Sequence, residues 1–311
     1  MTQPVDPSAP EPGASPFHAG ELALQERAGT RARLEVAGRR IIRDHMPDQH
    51  RELFEKLPYM IAGVADAGGQ PWATLLTGDP GFVSTTPKAM TIADLPAPAD
   101  PARQALRPGA SVGLLGIELT TRRRNRMNGR VGGVTEGGFT IDVVQSFGNC
   151  PKYIQTRQHR RVVSERPVVL REETFRLGRE ALALVEGSDT FFIATASGPG
   201  PADWTGGVDV SHRGGQPGFV RVADVGGRTV LTVDDFAGNG FFNTFGNLTL
   251  DPRAGLLFVD FEHGHLLQLS VRGTVQWNSP KVAAATGAER VLTLEVTGGH
   301  WLLDAVDLRW D

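Results

Sequence analysis

The sequence predicts a mainly β protein with added helices, built from two tandem copies of one strand-rich domain. Three observations carry this expectation. Residues 114–131 read LLGIELTTRRRNRMNGRV and residues 256–275 read LLFVDFEHGHLLQLSVRGTV, in each case two apolar runs about a polar tip, which is the pattern of a β-hairpin. Each hairpin opens on a Gly-Leu-Leu step, at Gly113 and Gly255, and is preceded by Leu106-Arg107-Pro108 or Leu250-Asp251-Pro252. A single internal repeat of this length indicates a duplicated domain, because solenoid repeats are shorter and more numerous. The 38 glycines and 21 prolines among 311 residues require many turns, which suits short strands.

In chain order, residues 1–17 are Pro-rich and acidic and read as a disordered tail. Residues 18–58 read as helices, at 21–25 and 48–57, with Asp48 after Pro47 as the cap of the second. They are expected to pack on the first barrel, 59–150, where Gly68-Gly69 and Asn128-Gly129 mark turns. Trp72, after the apolar run 60–62, is matched with Trp204 after 192–194. Residues 151–188 read as a basic linker followed by a helix over 172–186, with Phe175, Leu182 and Val185 at helical spacing. The second barrel, 189–311, closes with an alternating strand at 291–296.

Composition removes several functions. A net charge of −3 with 7% aromatic residues argues against nucleic acid, and no apolar stretch approaches the length of a membrane span. The single cysteine, Cys150, excludes an internal disulfide and a multi-cysteine metal centre. With no signal-peptide pattern at the start, a cytoplasmic location is expected. His263-Gly264-His265 at a hairpin tip reads as a solvated turn rather than a metal site, and Cys150, with no His or Asp beside it, does not read as a nucleophile.

The chemistry-bearing residues lie on the two hairpins and two loops. On a strand, Arg122, Arg124, Arg126 and Asn128 share one face, where their charges oppose one another unless an anion sits among them. Arginine forks suit phosphate; the alternative is a charged edge strand that resists aggregation. Gln268, on the polar face of the second hairpin, both donates and accepts and suits an amide-rich heterocycle, or is an ordinary polar stripe. The segment 209–218 brings Ser211, His212 and Arg213 into a flexible turn. The segment 235–244 is a glycine-rich loop leading into a short helix through Asn247, whose start would offer amide N–H groups to an anion.

Taken together, these residues resemble the flavin-binding split barrels related to pyridoxamine 5′-phosphate oxidase. The resemblance rests on Phe192-Ile193-Ala194-Thr195-Ala196, Asp209-Val210-Ser211-His212-Arg213-Gly214, Gly238-Asn239-Gly240 leading to Asn247-Leu248, the Asp251-Pro252 step and the strand ending in Arg272-Gly273. It covers residues 189–277 well. The first half is similar to a bacterial subgroup through residues 121–129 and 145–153. The resemblance implies two tandem six-stranded antiparallel split barrels that pair inside one chain as a pseudo-dimer, with FMN held between the two barrel units. It places the flavin phosphate at Arg221, Asn243 and Thr244, with Gln268 from the hairpin and a Gln-Ser pair, Gln145-Ser146, supplied across the interface. Oxidases of the family often carry basic residues where this chain has Phe242-Asn243-Thr244. The pseudo-dimer cleft is therefore expected to receive Arg124, Arg126, Gln145 and Ser146 from one half and Arg221, Asn243, Thr244 and Gln268 from the other. The expected function is an FMN-dependent oxidoreductase acting on a small molecule, in which the flavin carries the redox chemistry. The alternative is a non-catalytic flavin or small-molecule binder or redox sensor. Further pairing into a homodimer is open.

Overall fold

The computed structural model describes residues 14–162, 166–198, 204–278 and 280–311. Three helices lead: α1 (Ala19–Arg27), α2 (Arg31–Ile41) and α3 (Asp48–Lys56). The first sheet contains β1 (Tyr59–Ala65), β2 (Pro71–Thr77), β3 (Val83–Thr85), β4 (Ala89–Ile92), then, after helix α4 (Pro101–Ala105), β5 (Ser111–Glu118), β6 (Arg123–Thr135) and β7 (Gly138–Gly148). A connector holds β8 (His159–Arg161), β9 (Val169–Glu173) and α5 (Arg179–Gly187). The second sheet contains β10 (Thr190–Ala196), β11 (Val208–Gly214), β12 (Val220–Val225), β13 (Arg228–Phe236), then, after α6 (Asn243–Leu250), β14 (Arg253–Asp260), β15 (His265–Trp277) and, after α7 (Pro280–Thr286), β16 (Ala288–Leu303). A last strand, β17 (Leu308–Trp310), pairs with β8.

Among the described residues every pairing is antiparallel, and the two sheets have the same strand order. The first runs β2-β1-β5-β6-β7-β4-β3 and the second β11-β10-β14-β15-β16-β13-β12, with β9 added on β16. They therefore have seven and eight strands rather than six each. The extra strands are edges: β9 zips onto β16 because β16 is long enough to pair with β15 and β13 and still offer Gly299–Leu303.

The two hairpins match residue for residue. Gly113 pairs with Asn128 and Gly255 with Ser270, so Arg126 and Gln268 are equivalent positions. A β-bulge follows at the same point in each, between Asn128 and Gly129 and between Ser270 and Val271. Gly129 thus corresponds to Val271, not to the later Gly273. Trp72 corresponds to Asp209, while Trp204 lies before β11 and packs with the N-terminal helices.

The paired glycines have a physical reason. A β-carbon at Gly113 would sit 2.6 Å from the Val208 carbonyl oxygen, and one at Gly255 would sit 2.3 Å from that of Pro71. Each hairpin thereby lets the other half's β2-type strand approach at van der Waals distance. The halves share a core in which Ile61, Leu115 and Ile117 meet Phe192, Val210 and Leu257, all buried. Each half also keeps a core of its own.

Several local expectations are corrected. Residues 1–13 of the expected tail lie outside the described residues, but Phe17, assigned to it, is buried against Phe241 at 5.3 Å between ring centroids. Among the leading helices, α3 packs on the first sheet, whereas α1 crosses α6 of the second half. That crossing is close because both helices present glycine: a β-carbon on Gly20 would meet the Gly246 carbonyl oxygen at 2.2 Å. Pro47 takes the N-cap of α3, and Asp48 lies in the first turn, where it accepts from Arg51 Nη1 at 2.9 Å. Helix α5 begins at Arg179, after Gly178, and buries Ala181 and Val185, while Phe175 is exposed before it. The supposed turn carrying Ser211, His212 and Arg213 is strand β11. Among the described residues, no helix is long and apolar enough to cross a membrane.

Candidate functional site

A cavity of about 430 Å³ lies between the halves, within the ~300–1,000 Å³ typical of small-molecule sites. One wall is β6 and the segment after β7. The other is β11, β13, the glycine-rich loop 238–242 and the first turn of α6.

Of the residues expected in the cleft, Arg124, Arg126, Arg221, Asn243 and Thr244 line this cavity. Their surroundings set what each can do. Arg126 is buried and donates from Nη1 to Asp209 at 3.1 Å and from Nη2 to Ser211 Oγ. Asn128 and Asn247 also donate to Asp209, at 2.8 and 3.2 Å, so this carboxylate ties the hairpin of one half to β11 and α6 of the other. Arg221 is half exposed, and both its Nη atoms donate to Asp234, at 2.9 and 2.8 Å. Asn243 donates to Glu21 at 2.5 Å, and Thr244 Oγ1 donates to Ser211 Oγ at 3.0 Å.

Arg124 differs from the other arginines. Its Nη1 lies 3.0 Å from His212 Nδ1, and among the described residues none of the ion pairs includes it. Burial, with the charges of Arg126 and Arg213 nearby, lowers its guanidinium to about 10. Burial first, then Arg124 and Arg213, holds His212 well below the usual imidazole range, so its ring is neutral.

Gln145, Ser146 and Gln268 lie elsewhere. Gln145 Nε2 donates to the Pro16 carbonyl at 3.4 Å. Ser146 Oγ meets His50 Nδ1 at 2.8 Å, and its backbone pairs with Arg43. The N-terminal segment therefore covers both positions. Gln268 is fully buried in the equivalent node of the other half, donating to Ala73 O at 2.9 Å and to Asp100 at 3.2 Å, while its Oε1 faces His300 Nε2 at 2.6 Å. Thr74 completes that node by donating to Asp100 at 2.5 Å. Burial lowers His300 to about 4, so it faces Gln268 as a neutral ring and donates to Oε1.

Sequence reasoning missed the carboxylates that neutralise the arginines and the residues that frame them. Asp235 accepts from Arg213 at 2.7 Å and from Arg290 at 2.8 Å. Arg290 lies 5.0 Å from the rings of Phe242 and Trp277, and Arg213 lies 4.8 Å from Phe245, so both are held by aromatic faces as well. Phe242 has φ 65° and Tyr153 φ 67°, left-handed backbone next to the cavity. No local pattern marks Asp235 and Arg290 as partners, since they come from strands far apart in sequence. The cavity is lined by six basic side chains and two acidic ones.

Among the described residues, five side-chain nitrogens that belong to lining residues, and are themselves closed off from the open space, have no protein partner: Arg124 Nε, Arg126 Nε, Asn149 Nδ2, His212 Nε2 and Arg213 Nε. All are nitrogens that donate, His212 because Arg124 can only donate to its Nδ1. An acceptor-rich anion fits this lining; a cation does not. FMN, through its phosphate and ring acceptors, is such a molecule.

No family model and no curated protein matches the chain. Among solved structures, a putative pyridoxamine 5′-phosphate oxidase from Lactobacillus delbrueckii is similar over 42% of this chain and 98% of its own, at 16% identity and TM-score 0.31. HupZ of Group A Streptococcus is similar over 39% of this chain and 89% of its own, at 16% identity and TM-score 0.28. HutZ of Vibrio cholerae, a heme storage protein, is similar over 41% of this chain and 95% of its own, at 14% identity and TM-score 0.26. Likeness this distant says nothing of the present chain's ligand.

Proposed function

We propose that the chain is an internal pseudo-dimer of two split barrels that binds FMN in the cavity between them and serves as an FMN-dependent oxidoreductase. The matching strand orders, the equivalent bulges and the reciprocal approach at Gly113 and Gly255 support the duplication. The observation that carries the ligand is the lining's excess of basic side chains, six against two acidic, with Arg124 in no ion pair among the described residues. Arg124, with the first-turn amides of α6, would hold the phosphate, since helix starts present N–H groups without intrahelical partners. Phe219 and Phe242 would flank the ring system, and Arg126 would keep Asp209 neutralised beneath it. Bound FMN supplies hydride and electron transfer; the chain contributes binding, orientation and exclusion of water.

The test is titration of flavin-free protein with FMN and riboflavin. Wild type is expected to bind FMN more tightly than riboflavin, and Arg124→Leu to lose about tenfold or more in FMN affinity, as removal of a charge-assisted contact does, with little change for riboflavin. Failure of wild type to bind FMN would remove the reading. Reduction of bound flavin by NADH or NADPH separates an oxidoreductase from a binder.

A further inference from the structure

Two aromatic residues are left open to solvent at the edge of the cavity. Among the described residues three aromatic ones are exposed, Tyr153 at 44%, Phe175 at 45% and Phe236 at 40%. Phe175 is covered by the Arg228 guanidinium, 4.7 Å from the centre of its ring. Tyr153 and Phe236 instead come together from opposite halves, with ring centroids 6.1 Å apart and planes tilted by 32°, and both line the cavity. Accessible and bordering the cavity at once, they belong to its rim. The chain holds Tyr153 there in an unfavourable conformation: its φ of 67° is left-handed, a region where the β-carbon of an L-residue crowds the backbone. The backbone around it is anchored. Ile154 is buried, Gln155 Nε2 donates to Gly215 O at 3.0 Å, and a β-carbon on Gly214 would lie 2.2 Å from Tyr153 O. The Tyr153 hydroxyl lies 3.4 Å from Ala237 O, beyond the roughly 2.5–3.0 Å of a good O–H···O bond. Neither burial nor a strong hydrogen bond therefore accounts for a large aromatic residue at this strained position, and such positions cluster at ligand clamps.

Resting on the FMN reading above, we propose that Tyr153, with Phe236 beside it, is a ligand-contacting residue that packs its ring on the flat ring system of the bound molecule at the cavity rim. Arg124 takes the anionic end. Aromatic faces pack well on other flat rings, offset or edge-on, so the rim selects a planar heterocycle over a saturated group of the same charge. The two contacts divide the ligand between them: Arg124 reads the phosphate, and Tyr153 reads the ring whether or not a phosphate is attached. Because Tyr153 and Phe236 come from different halves, the ring contact forms only where the two halves meet.

The experiment melts flavin-free wild type, Tyr153→Phe and Tyr153→Gly without ligand and titrates each with FMN and riboflavin. Tyr153→Phe keeps the ring and is expected to bind both flavins within about threefold of wild type. Tyr153→Gly removes the ring while accepting the left-handed backbone, so the flavin-free variant is expected to melt no lower than wild type. Its affinity is expected to fall about tenfold for FMN and for riboflavin alike, the loss of one aromatic contact. A Tyr153→Gly chain that melts well below wild type would make the residue a structural tie between the halves and overturn the proposal. Wild-type affinity in that variant would sink it as well, and a loss confined to FMN would put Tyr153 at the phosphate and contradict the ring contact. These three results leave the FMN reading standing. Wild type that binds no flavin would remove that reading and this inference together.

Discussion

At equivalent positions of the two hairpins, Arg126 and Gln268 meet the same neighbourhood in opposite ways. Each reaches across to the β2-type strand of the other half, Arg126 to Asp209 and Ser211 on β11, Gln268 to Ala73 on β2 beside Thr74. Around Gln268 the polar groups close on one another: Asp100 accepts from Gln268 and Thr74, and His300 faces Gln268 Oε1. Around Arg126 they do not close. Arg124 adds a second cation that is in no ion pair among the described residues, and both arginines belong to the lining of a cavity. The difference teaches how two matching hairpins diverge: the node around Gln268 is closed by its own partners, and the node around Arg126 borders the cavity.

Removing the tie at each node should expose that difference. Arg126→Ala leaves Asp209 buried with only amide partners and is expected to destabilise the fold by about 3–5 kcal/mol, as breaking a buried ion pair does. Gln268→Leu takes one donor from Asp100, which keeps Thr74 and the Ala102 N–H, and removes the acceptor of His300 Nε2; it should cost about 1–3 kcal/mol, with FMN affinity unchanged. Urea denaturation of both variants gives the order, and the reverse order would refute the assignment of roles.

The glycine pair tests the symmetry itself. Gly113→Ala and Gly255→Ala each push a methyl against the other half's backbone, and each should cost about 1–3 kcal/mol. Similar losses support equivalent interfaces; a neutral substitution at one site only would break the equivalence.

A smaller effect concerns Glu21 beneath the open node. Burial first, then the charge of Asp209, raises its carboxyl well above the usual range. The folded chain then holds a proton that the unfolded chain releases, so this group's contribution to stability falls as pH rises above 4.5. Glu21→Gln should melt higher than wild type near neutral pH, with the gap closing toward pH 4.5. A gap that widens on acidification would reverse the sign and the argument.

Much of the scaffold was legible in the sequence because it is local. The hairpins, the Gly-Leu-Leu steps and the helix after the glycine-rich loop follow from alternation and turn chemistry. Arg124 and Arg126 were legible as same-face cations. The partners were not. Asp209 for Arg126, Asp234 for Arg221, and the burial of Gln145 and Ser146 under the N-terminal segment all depend on contacts between distant segments. Nothing in the amphipathic pattern of 265–277 distinguishes a ligand-facing Gln268 from one sealed against Asp100. The docking of α1 on α6 was hidden for a similar reason, since its signal is a small residue on each helix, Gly20 and Gly246, rather than an apolar stripe.

The asymmetry of the two nodes is tested most directly by counting ligands. Titration of flavin-free wild type with FMN, followed by calorimetry and flavin absorbance against protein concentration, should saturate at one FMN per chain, with Arg124→Leu weakening that single event. Saturation at two per chain would show that the Gln268 node also opens and would contradict the account, as would a chain that takes up none.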